Sequence, residues 1–482
     1  MITTANGVVN GSADGEELAN RAAASGGMET DVRHYDLVVL GAGSGNMLLN
    51  DDLAHLRTAV VEPDRFGGTC LNRGCIPTKM LVAAADAATG ARAAARLGVT
   101  ATVEKVDWKA IRERVFDRID PLHDSAQRYR RRHGVDVYAE EARFVAPKVL
   151  QVGSERISAD TILIAVGSRP VIPDIAGLDG VPYHTSDTIM RIDEMPASLV
   201  IVGGGFIAAE FGHIFGALGS EITIVQRGPR LLTAEDEQVS ARFTELAAQR
   251  HRVLLNSHAT SVARHGDGVE VRVAGPDGEQ VVRAAMLLVA VGRRPNTDRL
   301  DCAAGGLDVD EHGHIRIDAA CRTSVPGVWA IGDAANHYQL KHMANAEVRL
   351  VRHSMLHPDD VRDLRTTVAP HAVFSDPQIA SIGLTEQDAR SRGIPHLVSV
   401  RDYSDTAWGW ALEDTTGFVK ILANPADRTI LGAHIIGPQA ATLIQPLIQA
   451  MTLGQTVDRI GQDVLYIHPA PTEVVEQALL GL

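Results

Sequence analysis

Cysteine is scarce in this chain. There are four in 482 residues, at positions 70, 75, 302 and 321, too few to build the disulfide framework of a secreted protein of this length. An excess of basic charge is missing as well: 46 Lys and Arg stand against 60 Asp and Glu, a formal net charge of −14. That balance argues against nucleic acid and against an anionic membrane surface as main partners. No apolar run approaches the roughly 18 residues that a membrane-spanning helix requires. Residues 1–33 are small, polar and acidic. Without a basic start or an apolar stretch they do not read as a signal peptide, and a disordered extension is expected. What remains is a chain 45% hydrophobic and 22% charged, expected to be cytoplasmic and long enough for three or four domains.

Two of the four cysteines stand close together, in Gly67-Gly68-Thr69-Cys70-Leu71-Asn72-Arg73-Gly74-Cys75-Ile76-Pro77-Thr78-Lys79. In an unbroken helix, five residues rising about 1.5 Å each would hold the two Cα atoms beyond ~7 Å, too far for a relaxed disulfide. Gly74 and Pro77 supply the means to distort that turn. Glycine permits unusual backbone angles, and proline suits the first turn of the helix that follows. A disulfide closing so small a loop is expected to be easily reduced, and so to serve catalysis more than scaffolding. Cys302 and Cys321 read as packing or surface residues.

Ahead of this stretch, Tyr35-Asp36-Leu37-Val38-Val39-Leu40 runs into Gly41-Ala42-Gly43-Ser44-Gly45-Asn46. The grammar is strand, tight glycine turn, then a helix whose N-terminal amides receive a pyrophosphate. The sixth position holds Asn46 where a third glycine is usual. Glu62, at the end of Thr58-Ala59-Val60-Val61, falls about 20 residues on, where an acid accepts ribose hydroxyls. A second copy follows: Leu199-Val200-Ile201-Val202 leads into Gly203-Gly204-Gly205-Phe206-Ile207-Ala208, with alanine at the third small position. Each copy closes on an apolar strand with the same ending, Ala165-Val166-Gly167-Ser168-Arg169-Pro170 and Ala290-Val291-Gly292-Arg293-Arg294-Pro295. A repeat of paired motifs predicts two similar nucleotide-binding domains. Where the second copy should show its ribose-binding acid it has Gln226 and then Arg227. A guanidinium binds a 2′-phosphate through a bidentate fork, with Arg230 placed to assist, so NADPH is expected over NADH.

The segment 67–79 resembles the active-site segment of the flavoprotein disulfide reductases, the family of glutathione reductase and lipoamide dehydrogenase. The resemblance covers the chain from about residue 34 to its last residue. It implies an α/β fold with two Rossmann-like domains, for FAD and NADPH, and a C-terminal α+β dimerisation domain. The divisions implied are 34–168 and 293–367 for FAD, 169–292 for NADPH and 368–482 for dimerisation. In the last of these, Phe418-Val419-Lys420-Ile421-Leu422 and residues 429–436 flank Asn424-Pro425-Ala426-Asp427 as a hairpin, and a helix is expected over 441–453. Residues implied for FAD are Gly41, Gly43, Ser44, Gly45, Glu62, Gly68, Thr69, Lys79 and Ser168. Gly332 and Asp333 add a second FAD motif for the ribityl chain, and Lys341, Met343 and Ala344 cover the pyrimidine end. Those implied for NADPH are Gly203, Gly205, Phe206, Ile207, Glu210, Arg227, Arg230 and Gly292. Phe206 stands where relatives often carry a gating tyrosine. By the same resemblance Cys75 faces the flavin and Cys70 attacks the substrate disulfide. His468, oriented by Glu473, serves as acid–base group in the partner subunit's site, which makes a homodimer necessary for turnover. Lys79 and Glu210 form an ion pair beside the flavin.

Residues 41–46, 183–192 and 403–414 resemble the branch of the family that reduces mycothione, the disulfide of a cysteinyl sugar–inositol thiol. A lipoamide dehydrogenase would be expected to carry an acid at 226, and a mercuric reductase a C-terminal cysteine pair where this chain ends Leu480-Gly481-Leu482. A glutathione-type reductase is the remaining enzymatic alternative. A flavoprotein that only signals or scaffolds would have no need of Cys70, Cys75, His468 and Glu473 together.

Overall fold

The computed structural model describes residues 32–364 and 368–482. Apart from Val32 and Arg33 the expected N-terminal extension lies outside the described residues, and Arg33 already opens the first strand. That strand, Arg33–Leu40, runs parallel to Thr58–Val61 on one side and to Glu155–Ile164 on the other. These segments show no alternation because both faces of the sheet are covered; Leu37, Val38, Val39 and Leu40 are all at most 1% exposed. Asp136–Tyr138 extends the sheet at one edge, and Val149–Val152 and Ala142–Ala146 continue it antiparallel at the other. The seventh strand, Val328–Ala330, pairs in parallel with Glu155–Ile164. The chain therefore returns to this sheet after building the next one.

The second unit is a four-stranded parallel sheet in the order Arg252–Leu254, Glu221–Val225, Ser198–Val202, Met286–Val289. An antiparallel sheet of His258–His265, Gly268–Gly275 and Gly278–Ala284 packs against one face. Val262, Val269, Val271, Val273 and Val282 meet Val200, Val202, Val225 and Val289 in one buried cluster. The two repeated endings pair with each other: Ser168–Pro170 and Arg293–Pro295 form an antiparallel ribbon with Ser168 opposite Pro295. Both crossings between the units thus run through one two-stranded hinge.

One expected helix is missing. After the second glycine turn a full α-helix forms, Phe206–Leu218. After the first there are only two short 3₁₀ turns, Gly45–Leu48 and Asp51–Leu53. Asn50, Asp51 and Asp52 are weak helix formers in an interior position. In place of helical hydrogen bonds, Arg130 donates to Asn46 Oδ1 (2.8 Å), Asn46 O (2.7 Å) and Leu49 O (3.0 Å). This cation comes from the last turn of the long helix Trp108–Arg132.

The C-terminal sheet is antiparallel, ordered His371–Val373, Ile379–Gly383, Ile430–Ile436, Phe418–Ala423, Leu397–Asp402. The hairpin closes where expected, Asn424 N donating to Thr429 O at 2.9 Å. The helix expected over 441–453 is two pieces, Ala440–Leu443 and Gln445–Leu453. Pro446 opens the second, where its missing N–H costs no hydrogen bond.

At the junction of the second unit with this sheet, His371 Nε2 lies 2.7 Å from Glu235 Oε1, and Ser381 Oγ donates to Glu235 Oε2 at 2.6 Å. Burial alone would lower the His371 pKa, but the hydrogen bond and charge of Glu235 raise it. Burial alone would raise the Glu235 carboxyl, but its bonds to His371 and Ser381 bring it down. A raised histidine stabilises the fold fully below its ordinary value of 6.5 and loses that contribution as pH climbs through the raised one. A lowered carboxylate contributes above its ordinary value and is lost as pH falls through the lowered one. The Tm difference between wild type and His371→Gln should therefore be largest at about pH 5–6 and shrink towards pH 9. Scanning calorimetry across that range checks it; a difference independent of pH would show that the pair is not ionic.

Candidate active site

The segment that holds the cysteines folds as a short helix, Gly68–Arg73, then a long one, Cys75–Ala93, broken at Gly74. The break brings Cys70 and Cys75 into a disulfide with Cα atoms 4.7 Å apart. A Cβ on Gly74 would lie 2.9 Å from Thr69 O and 3.3 Å from the Cys70 Cα, so only glycine lets the chain turn back this closely. Asn72, buried between the cysteines, pins the loop by donating to Phe66 O (3.0 Å) and Gly68 O (2.9 Å). Cys70 is half-buried and Cys75 exposed.

Lys79 sits one turn past Cys75. Its Nζ donates to Glu210 Oε1 (2.7 Å) and Oε2 (2.8 Å), and Glu210 Oε1 also accepts from Phe374 N at 3.0 Å. The ammonium stands 4.6 Å from the Phe374 ring centre. One carboxylate thus joins the cysteine-bearing helix, the first helix of the second unit and the C-terminal region. Phe206, opening that first helix, leaves 48% of its surface exposed, with Ile207 half-buried behind it.

The two glycine turns repeat one contact. Gly41 has φ +99° and a Cβ there would collide with Ala165 O; Gly203 has φ +122° and would collide with Ala290 O. In each copy the first glycine rides on the carbonyl that begins the closing motif. A Cβ on Gly68 would fall 2.7 Å from the Gly43 Cα, and one on Gly45 2.7 Å from the Ala165 Cβ. Gly45 thus packs closely against the strand side, with Val39 Cγ1 3.0 Å from the same Cβ. Gly205 and Gly292 face open space.

Around the first turn, Glu62 accepts from Ala42 N (2.8 Å) and Asp64 N (3.0 Å), and burial pushes its carboxyl pKa up. Lys341 donates to Ser44 Oγ at 2.9 Å, and burial pulls the ammonium pKa down. Thr69 is half-buried, while Met343 and Ala344 are buried in the helix Lys341–Leu356. Ser168 Oγ donates to Asp333 Oδ2 at 2.5 Å and accepts from Arg293 Nε at 2.9 Å. Gly332 N donates to the buried Glu347 at 2.6 Å. The closely packed Gly43 and Gly68, the Glu62 carboxylate and the Lys341 ammonium surround the first turn, and these residues fit a dinucleotide such as FAD. In the second unit Arg227 is exposed, and Arg230 donates to Glu237 Oε1 at 2.9 Å.

Far along the chain, His468 Nδ1 lies 3.3 Å from Glu473 Oε1, the imidazole 69% exposed and the carboxylate 10%. Gln477 Nε2 donates to the same oxygen at 3.2 Å. Three positioning residues escaped the sequence reading: Arg130, Arg293 and Glu347. Only Arg293 had a visible signal, its place at the one position where the repeated Gly-x-Arg-Pro endings differ, the first copy having Ser168 there. The other two act across 84 and 15 residues with no local pattern.

Residues 35–347 match the profile described as pyridine nucleotide-disulphide oxidoreductase, and 369–479 match the dimerisation domain of the same group. The chain belongs to this family. It is 45% identical over 459 residues to a mycothione reductase of Mycobacterium tuberculosis strain ATCC 25618 / H37Rv, covering 93% of this chain and 99% of that one. A mercuric reductase of Streptomyces lividans is 34% identical over 440 residues, covering 89% and 92%. Among solved structures, the HOCl-induced flavoprotein disulfide reductase RclA of Escherichia coli superposes with a TM-score of 0.81 at 25% identity, covering 92% and 99%. This pyridine nucleotide-disulphide oxidoreductase is thus an NAD(P)H-dependent enzyme with FAD and NADPH as cofactors. Its dimerisation domain marks it as a homodimer.

Gly74→Ala tests the crowding at the break. Forcing a Cβ into contacts of 2.9 and 3.3 Å should destabilise the oxidised protein by about 1–3 kcal/mol, as overpacking does. Urea unfolding of oxidised and reduced forms checks this, the reduced variant losing less because its cysteines are free to separate.

Proposed function

We propose that this enzyme reduces mycothione to mycothiol with NADPH, in the cytoplasm. The observation that carries the reading is the 45% identity to a mycothione reductase along 93% of the chain. The disulfide at Cys70–Cys75 and the His468–Glu473 pair supply the chemistry it calls for. Gln226 in place of an acid disfavours lipoamide dehydrogenase.

In this reading residues 34–168 and 293–367 bind FAD through Gly41, Gly43, Ser44, Gly45, Glu62, Gly68, Thr69, Ser168, Gly332, Asp333, Lys341, Met343 and Ala344. Residues 169–292 bind NADPH through Gly203, Gly205, Phe206, Ile207, Arg227, Arg230 and Gly292, and 368–482 form the subunit interface. FAD supplies the passage of an electron pair between nicotinamide and disulfide. The Lys79–Glu210 pair, one helical turn past Cys75, keeps the two helices that flank the cofactors in register.

From the reduced state, the Cys70 thiolate attacks one sulfur of the substrate disulfide and expels a thiolate, which takes its proton from His468. The Cys75 thiolate then attacks the Cys70 sulfur of the mixed disulfide, re-forms the Cys70–Cys75 bond and expels the second substrate half as a thiolate, which takes a proton from solvent. Glu473 stands within reach of Nδ1, which leaves Nε2 as the nitrogen that exchanges the proton with the reacting sulfurs.

Oxidation of NADPH with mycothione, glutathione disulfide and lipoamide measured side by side tests the substrate. The kcat/KM for mycothione should exceed the others by about 10²-fold or more, the range open to a pocket that hydrogen-bonds its ligand. Comparable turnover of either competitor would overturn the assignment.

His468→Ala should leave reduction of the enzyme by NADPH intact and slow turnover by about 10²–10⁴-fold, the usual contribution of positioned proton transfer. Subunits carrying Cys70→Ser and His468→Ala are each inactive alone. Mixed, they should recover activity, because a heterodimer holds one site with both defects and one with neither. Subunit exchange shown by mass, without recovery, would place His468 in its own chain's site.

A further inference from the structure

A buried ionic centre that the chemistry above does not use lies at the end of the loop carrying Arg227 and Arg230. Lys420 is 1% exposed, on a strand buried at every position, Phe418–Ala423. Its Nζ donates to Asp236 Oδ1 at 2.9 Å and lies 2.6 Å from Glu386 Oε2. Asp236 is 0% exposed and is shared three ways. Its side chain caps the helix Glu237–Arg250 by accepting from Gln238 N (3.0 Å), accepts from Glu386 N (3.1 Å), and takes the Lys420 proton donor. Next to it, Gln387 Nε2 donates to Glu235 O (2.9 Å) and Gln387 Oε1 accepts from Glu237 N (3.1 Å).

Glu237 is the partner of Arg230. The C-terminal domain therefore grips the three residues 235–237, and the last of them holds one of the two guanidinium groups of the loop. At its other end the loop is tied to the glycine turn: Leu232 N donates to Gly204 O at 2.8 Å, and Gln226 Nε2 to Arg230 O at 3.0 Å. Arg230 Nε is buried with no hydrogen-bond partner among the described residues, a donor held in place and unspent. A buried lysine with two carboxylates is a poor source of stability compared with an apolar strand, so its arrangement points to positioning.

We infer that Lys420, Asp236 and Gln387 are positioning residues for the 2′-phosphate of NADPH, fixing the Arg227–Arg230 loop from the dimerisation domain. This rests on the reading of Arg227 and Arg230 as the phosphate-binding pair. None of the three touches the nucleotide; they act through Glu237 and the helix that it opens.

The test is binding of adenosine 2′,5′-bisphosphate and of AMP to the holoenzyme by calorimetry, together with KM for NADPH and for the disulfide. Lys420→Met should weaken the bisphosphate about tenfold, the effect of losing one charged hydrogen bond's alignment, while AMP binding and the disulfide KM stay put. Lys420→Arg, which keeps the charge, should restore part of the loss. Gln387→Ala leaves the buried charges intact and should weaken the bisphosphate about threefold, so it decides the matter if Lys420→Met fails to fold. Bisphosphate affinity unchanged in folded Lys420→Met, or in Gln387→Ala if that variant alone folds, would overturn the inference. Equal losses for bisphosphate and AMP would do the same, by showing general loosening of the domain. Arg227→Ala separates the two layers. If it leaves bisphosphate binding unchanged, the phosphate reading falls; if it alone weakens binding, only the positioning role falls.

Discussion

The carboxylate of Glu210 is the point at which the parts of this molecule are tied together. It takes Lys79 from the helix that begins at Cys75, belongs to the first helix of the second nucleotide unit, and accepts the amide of Phe374 from the C-terminal region. Glu210 is 6% exposed, and a buried carboxylate without a partner is expensive, so each of the three segments is held to the geometry that satisfies it. Lys79 is 34% exposed on its side chain, which discounts the pair as a source of stability. What the pair determines is register. The helix Cys75–Ala93 is rich in alanine, whose short side chains do little to fix how far one helix slides along another. Three polar contacts supply that: Lys79 with Glu210, Asp86 with His213 at 2.8 Å, and Arg92 with the Ala217 carbonyl.

The same logic of close approach recurs at the glycines. In both nucleotide units the first glycine lies on an alanine carbonyl, Ala165 O or Ala290 O, that starts the closing motif. The doubled grammar seen in the sequence is therefore one contact used twice, because each turn must pass over the end of the strand that closes its own sheet. The doubled motifs were legible from the residues alone, as were the cysteine loop and the C-terminal hairpin, since each leaves a local pattern; the contact that joins each first glycine to a carbonyl far along the chain was not. The helix expected after Gly45 was not. Its loss depends on Arg130, which reaches the carbonyls of Asn46 and Leu49 from the end of another helix. A pattern that stops at fifty residues carries no trace of that. The Ser168–Pro170 and Arg293–Pro295 ribbon was half legible: the endings were seen to match, but not that they pair with each other.

Lys420 shows why some sites hide in plain view. In the run Phe418-Val419-Lys420-Ile421-Leu422 a lysine reads as the one solvent-facing position of a strand. The strand is instead buried on both faces, and the ammonium is neutralised by Asp236, 184 residues earlier. The counter-charge sits at a helix N-terminus, where an acid already has a local reason to be, so neither residue advertises the other. Sequence periodicity assigns a charge to the surface by default, and only the assembled junction says otherwise.

The imidazole of His468 raises the opposite question, a polar group turned outward. Its carboxylate partner is buried in the first turn of the last helix, yet the ring itself is 69% exposed. The residues leading to it are equally exposed and strongly apolar: Val464 at 48%, Leu465 at 96% and Ile467 at 77%. Consecutive apolar side chains left in water are costly, at about 25 cal/mol per Å² of surface, and such patches mark surfaces made to be covered. Among the described residues nothing in the same chain covers them. In a family whose C-terminal domain is a dimerisation domain, the economical reading is that a second copy does. Under the function proposed above, the base then reaches the neighbouring disulfide already oriented by its own buried carboxylate. On that proposal, burial of Leu465 and Ile467 and delivery of His468 are one event, which ties the completeness of each active site to the integrity of the dimer.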